Sequence, residues 1–315
     1  MKGRFAPSPS GRMHLGNVYS AFFSYLHAKK RGGQWILRIE DLDRQRCKKV
    51  YSDLLLDDLL WLGLKWDNFS CEDSGLLPEF YQSQRDSFYE KAFDFLCEQN
   101  LVYDCFCSRA DLLASSAPHQ NEGGRIYSGK CRNLSDSEKK YLMGERKPAK
   151  RIKIDDIEID FCDGNYGPKE YKLAESFGDF IIRRADGNFS YQLAVVVDDA
   201  LMEVDEVVRG RDLLSSSAAQ IFLYEKLHYS PPAFFHLPLL LSSDGRRLSK
   251  RDKDTDMASL RACLSPEQIF GKIMVMTGFI EKEESLSLSE AIKIFEPEKL
   301  QREDIYLGGC KKVTF

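Results

Sequence analysis

The sequence predicts an α/β protein organised around a doubly wound parallel sheet. Three observations carry that prediction. Runs rich in β-formers alternate with helix-patterned segments through the first hundred residues. A strand, turn and helix unit recurs in the second half, from Val204 onward. A length of 315 residues suffices for one large α/β domain with insertions, or for two domains, with a substantial core.

Composition narrows the class. Apolar residues at 43% and charged residues at 30% describe an ordinary globular chain. No apolar run approaches the roughly 20 residues of a membrane span. The polar start Met1-Lys2-Gly3-Arg4 leads into no signal-peptide core, so the expected location is the cytoplasm. Nine cysteines, an odd number at irregular spacing, point to thiols or metal ligands rather than a disulfide framework. A net charge of -4 gives no global attraction to nucleic acid, so an RNA partner must be met by a local basic patch or by shape. Arg246, Arg247, Lys250, Arg251 and Lys253 form one such patch, although charge alone favours a solvated loop.

Gly3 to Ala6 is a short strand, and Pro7 and Pro9 stiffen its exit into an extended loop. Asn17 is expected to N-cap a helix whose apolar face is Val18, Ala21, Phe22, Tyr25 and Leu26. A strand, a tight loop and a helix N-terminus together suit an anion. In that loop His14 can donate to a phosphate oxygen, and Gly16 admits a ligand close to the backbone.

Gly32-Gly33 turns the chain into the β-rich run Gln34 to Ile39, which ends in Glu40, Asp41 and Asp43. Carboxylates at the carboxyl end of such a strand lie where open α/β sheets bind ligands. Glu40 is the better candidate for a ligand contact, and Asp43 for a cap on the next helix. Residues 48–62 and 83–99 read as amphipathic scaffold helices.

Residues 101–175 break the rhythm and read as an insertion. Cys105, Cys107 and Cys131 fall within it, but three thiols are not a complete zinc set, and reduced structural thiols are the alternative. Residues 151–161 alternate as one or two half-buried strands, and 179–191 as a hairpin turning at 185–188. Val204 to Val208 is a buried strand with Arg209 and Asp212 at its end, before a helix over 216–227. His236 to Leu241 is strand-like, residues 242–245 form a turn, and helices follow over 265–278 and 285–295, with Pro297 as a break.

Several strings carry a resemblance. Arg4-Phe5-Ala6-Pro7-Ser8-Pro9-Ser10-Gly11 with His14-Leu15-Gly16-Asn17 resembles the opening of glutamyl-type class I aminoacyl-tRNA synthetases, including their first ATP signature. Tyr191 to Asp199 and Val207 to Leu214 resemble the same family's second half. Arg247-Leu248-Ser249-Lys250-Arg251 resembles the second signature, Lys-Met-Ser-Lys-Ser, with Lys250 at the position of the catalytic lysine. The resemblance covers roughly residues 3–255.

It implies a class I synthetase Rossmann-like fold, with residues 1–100 and 176–255 as the halves of the catalytic domain and 256–315 as a helical C-terminal segment. His14, Gly16 and Lys250 take the catalytic positions, and these with Asn17 contact ATP. Arg4, Phe5, Ala6, Pro7, Ser8, Glu40, Tyr191 and Arg209 hold L-glutamate, with Glu40 on its ammonium group. The forked guanidinium groups of Arg4 and Arg209 together suit an acidic side chain.

Cys105-x-Cys107 followed by Tyr127-x-x-x-Cys131 resembles the zinc knuckle of the family's short members, implying Zn2+ on Cys105, Cys107, Tyr127 and Cys131. His119 is the alternative fourth ligand. The chain leaves no room for the large anticodon-binding region of full-length members. It is therefore expected to work as a monomer that uses ATP with Mg2+ and transfers glutamate to the queuosine base of tRNA(Asp). The rivals are a short enzyme charging the 3′ end of tRNA(Glu), a catalytically silent relative binding an amino acid or RNA, and a pantothenate-synthetase-like ligase.

Overall fold

The computed structural model describes residues 1–70, 75–108, 126–246 and 256–307. Lys250 and the rest of the basic loop beyond Arg246 lie outside the described residues, as does His119.

Strand β1 (Lys2–Phe5) leads through the proline loop into α1 (Leu15–Lys30), then β2 (Gln34–Leu37) and α2 (Lys49–Trp61). A short ribbon, β3 (Phe69–Ser70) with β4 (Gly75–Leu76), precedes α3 (Asp86–Glu98). The middle section holds β5 (Val102–Cys105), α4 (Asp136–Glu145), β6 (Ala149–Ile152), the hairpin β7 (Glu158–Asp163) and β8 (Gly167–Lys172), α5 (Leu173–Ser176) and β9 (Ile181–Arg183). The chain then forms α6 (Tyr191–Leu201), β10 (Glu206–Gly210), α7 (Leu214–Lys226), β11 (Ala233–Leu237) and β12 (Leu240–Leu241). Helices α8 (Met257–Cys263), α9 (Pro266–Met276) and α10 (Leu288–Ile294) and strand β13 (Ile305–Tyr306) complete it.

Four strands make a parallel sheet in the order β11-β10-β1-β2. Winding runs outward in both directions from the neighbours β1 and β10: β1 passes through α1 to β2, and β10 through α7 to β11. The connections leaving their carboxyl ends diverge, and a crevice opens there. Side chains alternate between two cores because successive residues of a strand face opposite ways. Trp35 and Leu37, Val208, Phe235 and Leu237 enter the core shared with α1, α9 and α10. Ile36, Val207 and Phe234 enter the one shared with α3, α6 and α7. Phe22 of α1 stacks on Phe270 of α9 at 4.6 Å between ring centres. That contact ties the last helices to the first, and truncating such a ring costs about 3–5 kcal/mol.

The structure corrects four expectations. The N-cap of α1 is His14, not Asn17: His14 Nδ1 accepts the Gly16 N–H at 3.1 Å, and Asn17 Oδ1 accepts the His14 N–H at 3.1 Å. Asn17 thus closes a reciprocal cap from inside the first turn. Asp43 caps no helix, since α2 begins after Lys48; it holds Arg46 at 2.7 Å, while Asp41 accepts from the Ser83 backbone at 2.8 Å. Arg209 lies within β10 rather than beyond it, because the strand runs to Gly210. The hairpin at 179–191 shrinks to β9 with a single return bridge between Arg183 and Phe189, and Tyr191 already opens α6. Among the described residues no helix is long and apolar enough to cross a membrane.

Candidate active site

A cavity of about 540 Å³ sits at the carboxyl ends of β1 and β10. Its size falls within the roughly 300–1,000 Å³ usual for small-molecule sites. Arg4, Phe5, Ala6, Pro7 and Ser8 enter it from β1 and the proline loop, His14, Gly16 and Asn17 from the start of α1, Glu40 from beyond β2, Tyr191 from α6 and Arg209 from β10. Eleven of the twelve residues expected to hold glutamate or ATP therefore meet in one place, and the twelfth, Lys250, lies outside the described residues.

Each wall has a local cause. By accepting from Gly16 at Nδ1, the neutral imidazole of His14 keeps its proton on Nε2. A Cβ on Gly16 would stand 3.0 Å from His14 Cε1, so the glycine makes room for the cap. This ring has therefore already engaged one of the N–H groups that a bare helix terminus would offer an anion. Gly210 has a similar cause, since a Cβ there would stand 2.5 Å from Asp212 Oδ1.

The two arginines differ. Arg4 is buried with its Nε 3.5 Å from Asp199 and its Nη1 3.4 Å from the Val208 carbonyl. Arg209 donates from Nε to His236 Nε2 at 3.1 Å, and from Nη2 to Ser217 Oγ at 2.8 Å and the Leu213 carbonyl at 3.3 Å. Its Nη1 is buried and has no hydrogen-bond partner among the described residues. None of these neighbours of Arg209 is a carboxylate, and burial pushes its pKa down. Arg4 thus has a carboxylate beside it in Asp199, and Arg209 has none among these partners. A buried arginine without an anion is costly unless a ligand supplies one.

Glu40 is 7% exposed and ion-paired with Arg38 at 3.1 Å. Burial pushes its carboxyl up, against the pull of Arg38 and Arg4. Arg38, fully buried, also holds Asp199 at 2.6 Å and lies 3.6 Å from Asp198, which in turn accepts from Arg85, Gln82 and Tyr89. This lattice behind the cavity was not anticipated from the sequence. Its signal was the pair Asp198-Asp199 closing the apolar run Leu193 to Val197, since carboxylates there must be buried and paired. Burial also raises the Tyr191 phenol.

A second cavity, about 400 Å³, adjoins the first and shares Ser8, Glu40 and Tyr191 with it. Arg46, Cys47, Arg184, Asn188 and Phe189 also line it.

In the middle section, the Sγ atoms of Cys105, Cys107 and Cys131 lie within 4.8 Å of one another. The Tyr127 hydroxyl stands 3.6 Å from both Cys105 and Cys107 Sγ, and Cys107 and Cys131 Sγ are 3.6 Å apart. A tetrahedral metal with bonds of about 2.3 Å to sulfur spaces its sulfurs roughly 3.8 Å apart, so these four donors fit one ion. Arg151 lies over the Tyr127 ring at 3.8 Å and the Cys131 N–H donates to its oxygen at 2.8 Å, which together fix the phenol. Burial pushes the Cys105 thiol up, but hydrogen bonds with Arg151, the Cys107 backbone and Tyr127 outweigh it and leave the thiol below its usual range. Burial carries Cys107 to about 12.

The parallel sheet, the His14 cap at a helix N-terminus and the cavity between β1 and β10 define a class I synthetase-type catalytic domain. The chain belongs to the family described as tRNA synthetases class I (E and Q), catalytic domain, whose model matches residues 1–305. It is 43% identical over 307 residues to a glutamyl-Q tRNA(Asp) synthetase of Symbiobacterium thermophilum, covering 96% of this chain and 94% of that relative. A glutamate–tRNA ligase of Aquifex aeolicus is 38% identical over 306 residues, which span only 62% of its length. The crystal structure of a glutamate–tRNA synthetase from Elizabethkingia anophelis matches with a TM-score of 0.81 at 29% identity, over 97% of this chain and 68% of that one.

Proposed function

We propose that this chain, a cytoplasmic monomer, activates L-glutamate with ATP and transfers the glutamyl group to the queuosine base of tRNA(Asp). The observation that carries the amino-acid assignment is Arg209: a buried guanidinium with no carboxylate among its hydrogen-bond partners in the described residues, in a cavity that also holds the acidic Glu40. Arg209 takes the side-chain carboxylate of the substrate and Glu40 its ammonium group. The α-carboxylate is then held toward the mouth beside His14, where it attacks the α-phosphorus of ATP. A bond forms between carboxylate oxygen and phosphorus, and pyrophosphate leaves with the electron pair of the broken P–O bond.

The protein contributes alignment and charge stabilisation to this step. His14 donates from Nε2 to phosphate oxygen, and Lys250 neutralises the charge of the departing group. Magnesium, bound with ATP, supplies further neutralisation on the outer phosphates. A hydroxyl of the acceptor next attacks the acyl carbon, giving a glutamyl ester and AMP. The second cavity, joined to the first at Ser8, Glu40 and Tyr191, is the entry for that nucleoside.

Two relatives named glutamyl-Q tRNA(Asp) synthetase, 43% and 41% identical, are spanned over 94% and 87% of their lengths, whereas the glutamate–tRNA ligases extend well beyond this chain. The higher identity of the first two, 43% and 41% against 38% for the Aquifex aeolicus ligase, favours the queuosine acceptor over the 3′ end of tRNA(Glu). Zinc would be held by Cys105, Cys107, Tyr127 and Cys131 as a structural ion far down the chain from the reacting atoms. ATP–pyrophosphate exchange in the absence of RNA tests the activation step. Glutamate supports exchange and aspartate, one methylene shorter, supports it poorly; equal rates for the two would remove the Arg209 pocket.

A further inference from the structure

Asp163 and His236 form a fully buried pair, with Asp163 Oδ2 2.5 Å from His236 Nδ1 and neither side chain exposed. They come from different parts of the fold. Asp163 ends β7 of the middle section, and His236 lies on β11 at the edge of the parallel sheet. The tip of the β7–β8 hairpin docks on β11: the Gly164 N–H donates to the Phe234 carbonyl at 2.8 Å, and Asn165 Nδ2 to the His236 carbonyl at 3.0 Å. Gly164 is needed there, because a Cβ would stand 2.6 Å from the Phe235 ring. Asp163 Oδ1 is held separately, accepting from the backbone N–H groups of Asn165 at 3.1 Å and Tyr166 at 2.8 Å.

The other side of the imidazole meets Arg209. An arginine Nε–H can only donate, so His236 Nε2 at 3.1 Å must present its lone pair, and the single ring proton must sit on Nδ1, donated to Asp163. We propose that Asp163 and His236 are positioning residues for Arg209: Asp163 fixes the imidazole tautomer, the imidazole and Ser217 fix Nε and Nη2 of the guanidinium, and Nη1 is left as the nitrogen for the substrate carboxylate. The proposal rests on the reading of Arg209 as the carboxylate contact. It makes the hairpin of the middle section part of the specificity apparatus, although that hairpin lines neither cavity.

The electrostatics agree with the geometry. Burial holds the His236 pKa down to about 4, Asp163 opposes that, and the charges of Arg209 and Arg4 add to it. An imidazolium would turn an N–H toward the Arg209 N–H, and at neutral pH the ring stays uncharged.

Histidine side-chain NMR on the whole, 15N-histidine-labelled protein reads the tautomer without a variant. His236 should show the Nδ1–H neutral form throughout about pH 6 to 8. An Nε2–H form, or an imidazolium, would overturn the proposal. Asp163→Asn keeps the shape but turns an amide N–H toward Nδ1, since its oxygen remains committed to the Asn165 and Tyr166 N–H groups. The ring then carries its proton on Nε2, facing the Arg209 N–H. In glutamate-dependent exchange, KM for glutamate should rise about 10- to 100-fold, the scale found when an outer hydrogen-bond partner of a site residue is lost. KM for ATP should hold. A flipped tautomer with unchanged KM for glutamate overturns the positioning role, whereas a wild-type protein that does not exchange glutamate at all overturns the reading beneath it.

Discussion

His14 and Asp256 face each other in an isolated antiparallel bridge, and the Met257 N–H donates to the Met13 carbonyl at 2.9 Å. Asp256 also N-caps α8 by accepting from Ser259 N–H at 2.9 Å. Asp256, five positions beyond the Arg247 to Arg251 string in the sequence, is thereby fixed beside the histidine of the first signature.

Lys250→Ala should therefore lower glutamate-dependent ATP–pyrophosphate exchange by about 10²-fold or more, the usual scale for losing one electrostatic stabiliser of a transition state. The melting temperature should hold, because the anchor at Asp256 and Met257 is untouched. Unaltered exchange would place the catalytic lysine elsewhere.

Much of this site was legible in the sequence because its residues stand in short strings at strand ends, where sheet topology makes position in the chain a guide to position in space. Arg4, Glu40 and Arg209 are of that kind, and His14 and Tyr191 stand at helix starts in equally short strings. The supporting residues are not. Arg38 meets Asp198 and Asp199 only because the chain just past β2 comes against α6, and Asp163 reaches His236 only because a hairpin tip docks on a sheet edge. Neither relation leaves a spacing in the chain. The cap at His14 was missed for a local reason: asparagine outranks histidine by propensity, yet the histidine ring reaches the N–H two residues on, and Asn17 closes the box from within the helix.

Glu40 sets an acid limit on substrate binding. Burial raises its carboxyl pKa, so the folded protein holds that proton more tightly than an exposed glutamate would. The ionised form, which the substrate ammonium needs, is consequently lost at higher pH on acidification. The kcat/KM for glutamate in the exchange reaction should fall on the acid side with an apparent pKa above the roughly 4.3 of a free glutamate side chain. Glu40→Gln should lower kcat/KM at neutral pH and remove this limb. A profile identical in the variant and the wild type would detach Glu40 from the amino acid.

The middle section should carry one zinc ion per chain. Changing Cys105 and Cys107 together to serine should abolish it, with local loss of order and retention of most of the fold, since the parallel sheet does not depend on the cluster. Metal analysis of protein prepared without chelator, paired with thiol titration, gives the result. Zinc-free protein with all three thiols reactive would make these cysteines structural thiols only.

The central claim is the acceptor, and one assay decides it: labelled glutamate and ATP with queuosine-containing tRNA(Asp), its isolated anticodon stem-loop, and tRNA(Glu) in parallel. A compact stem-loop with an unstacked base suits the small mouth formed by the second cavity. The stem-loop should accept glutamate as the whole tRNA(Asp) does, and periodate oxidation of the queuosine diol should abolish the product. Glutamate on the 3′ end of tRNA(Glu), with queuosine-containing tRNA(Asp) left unmodified, would contradict the account.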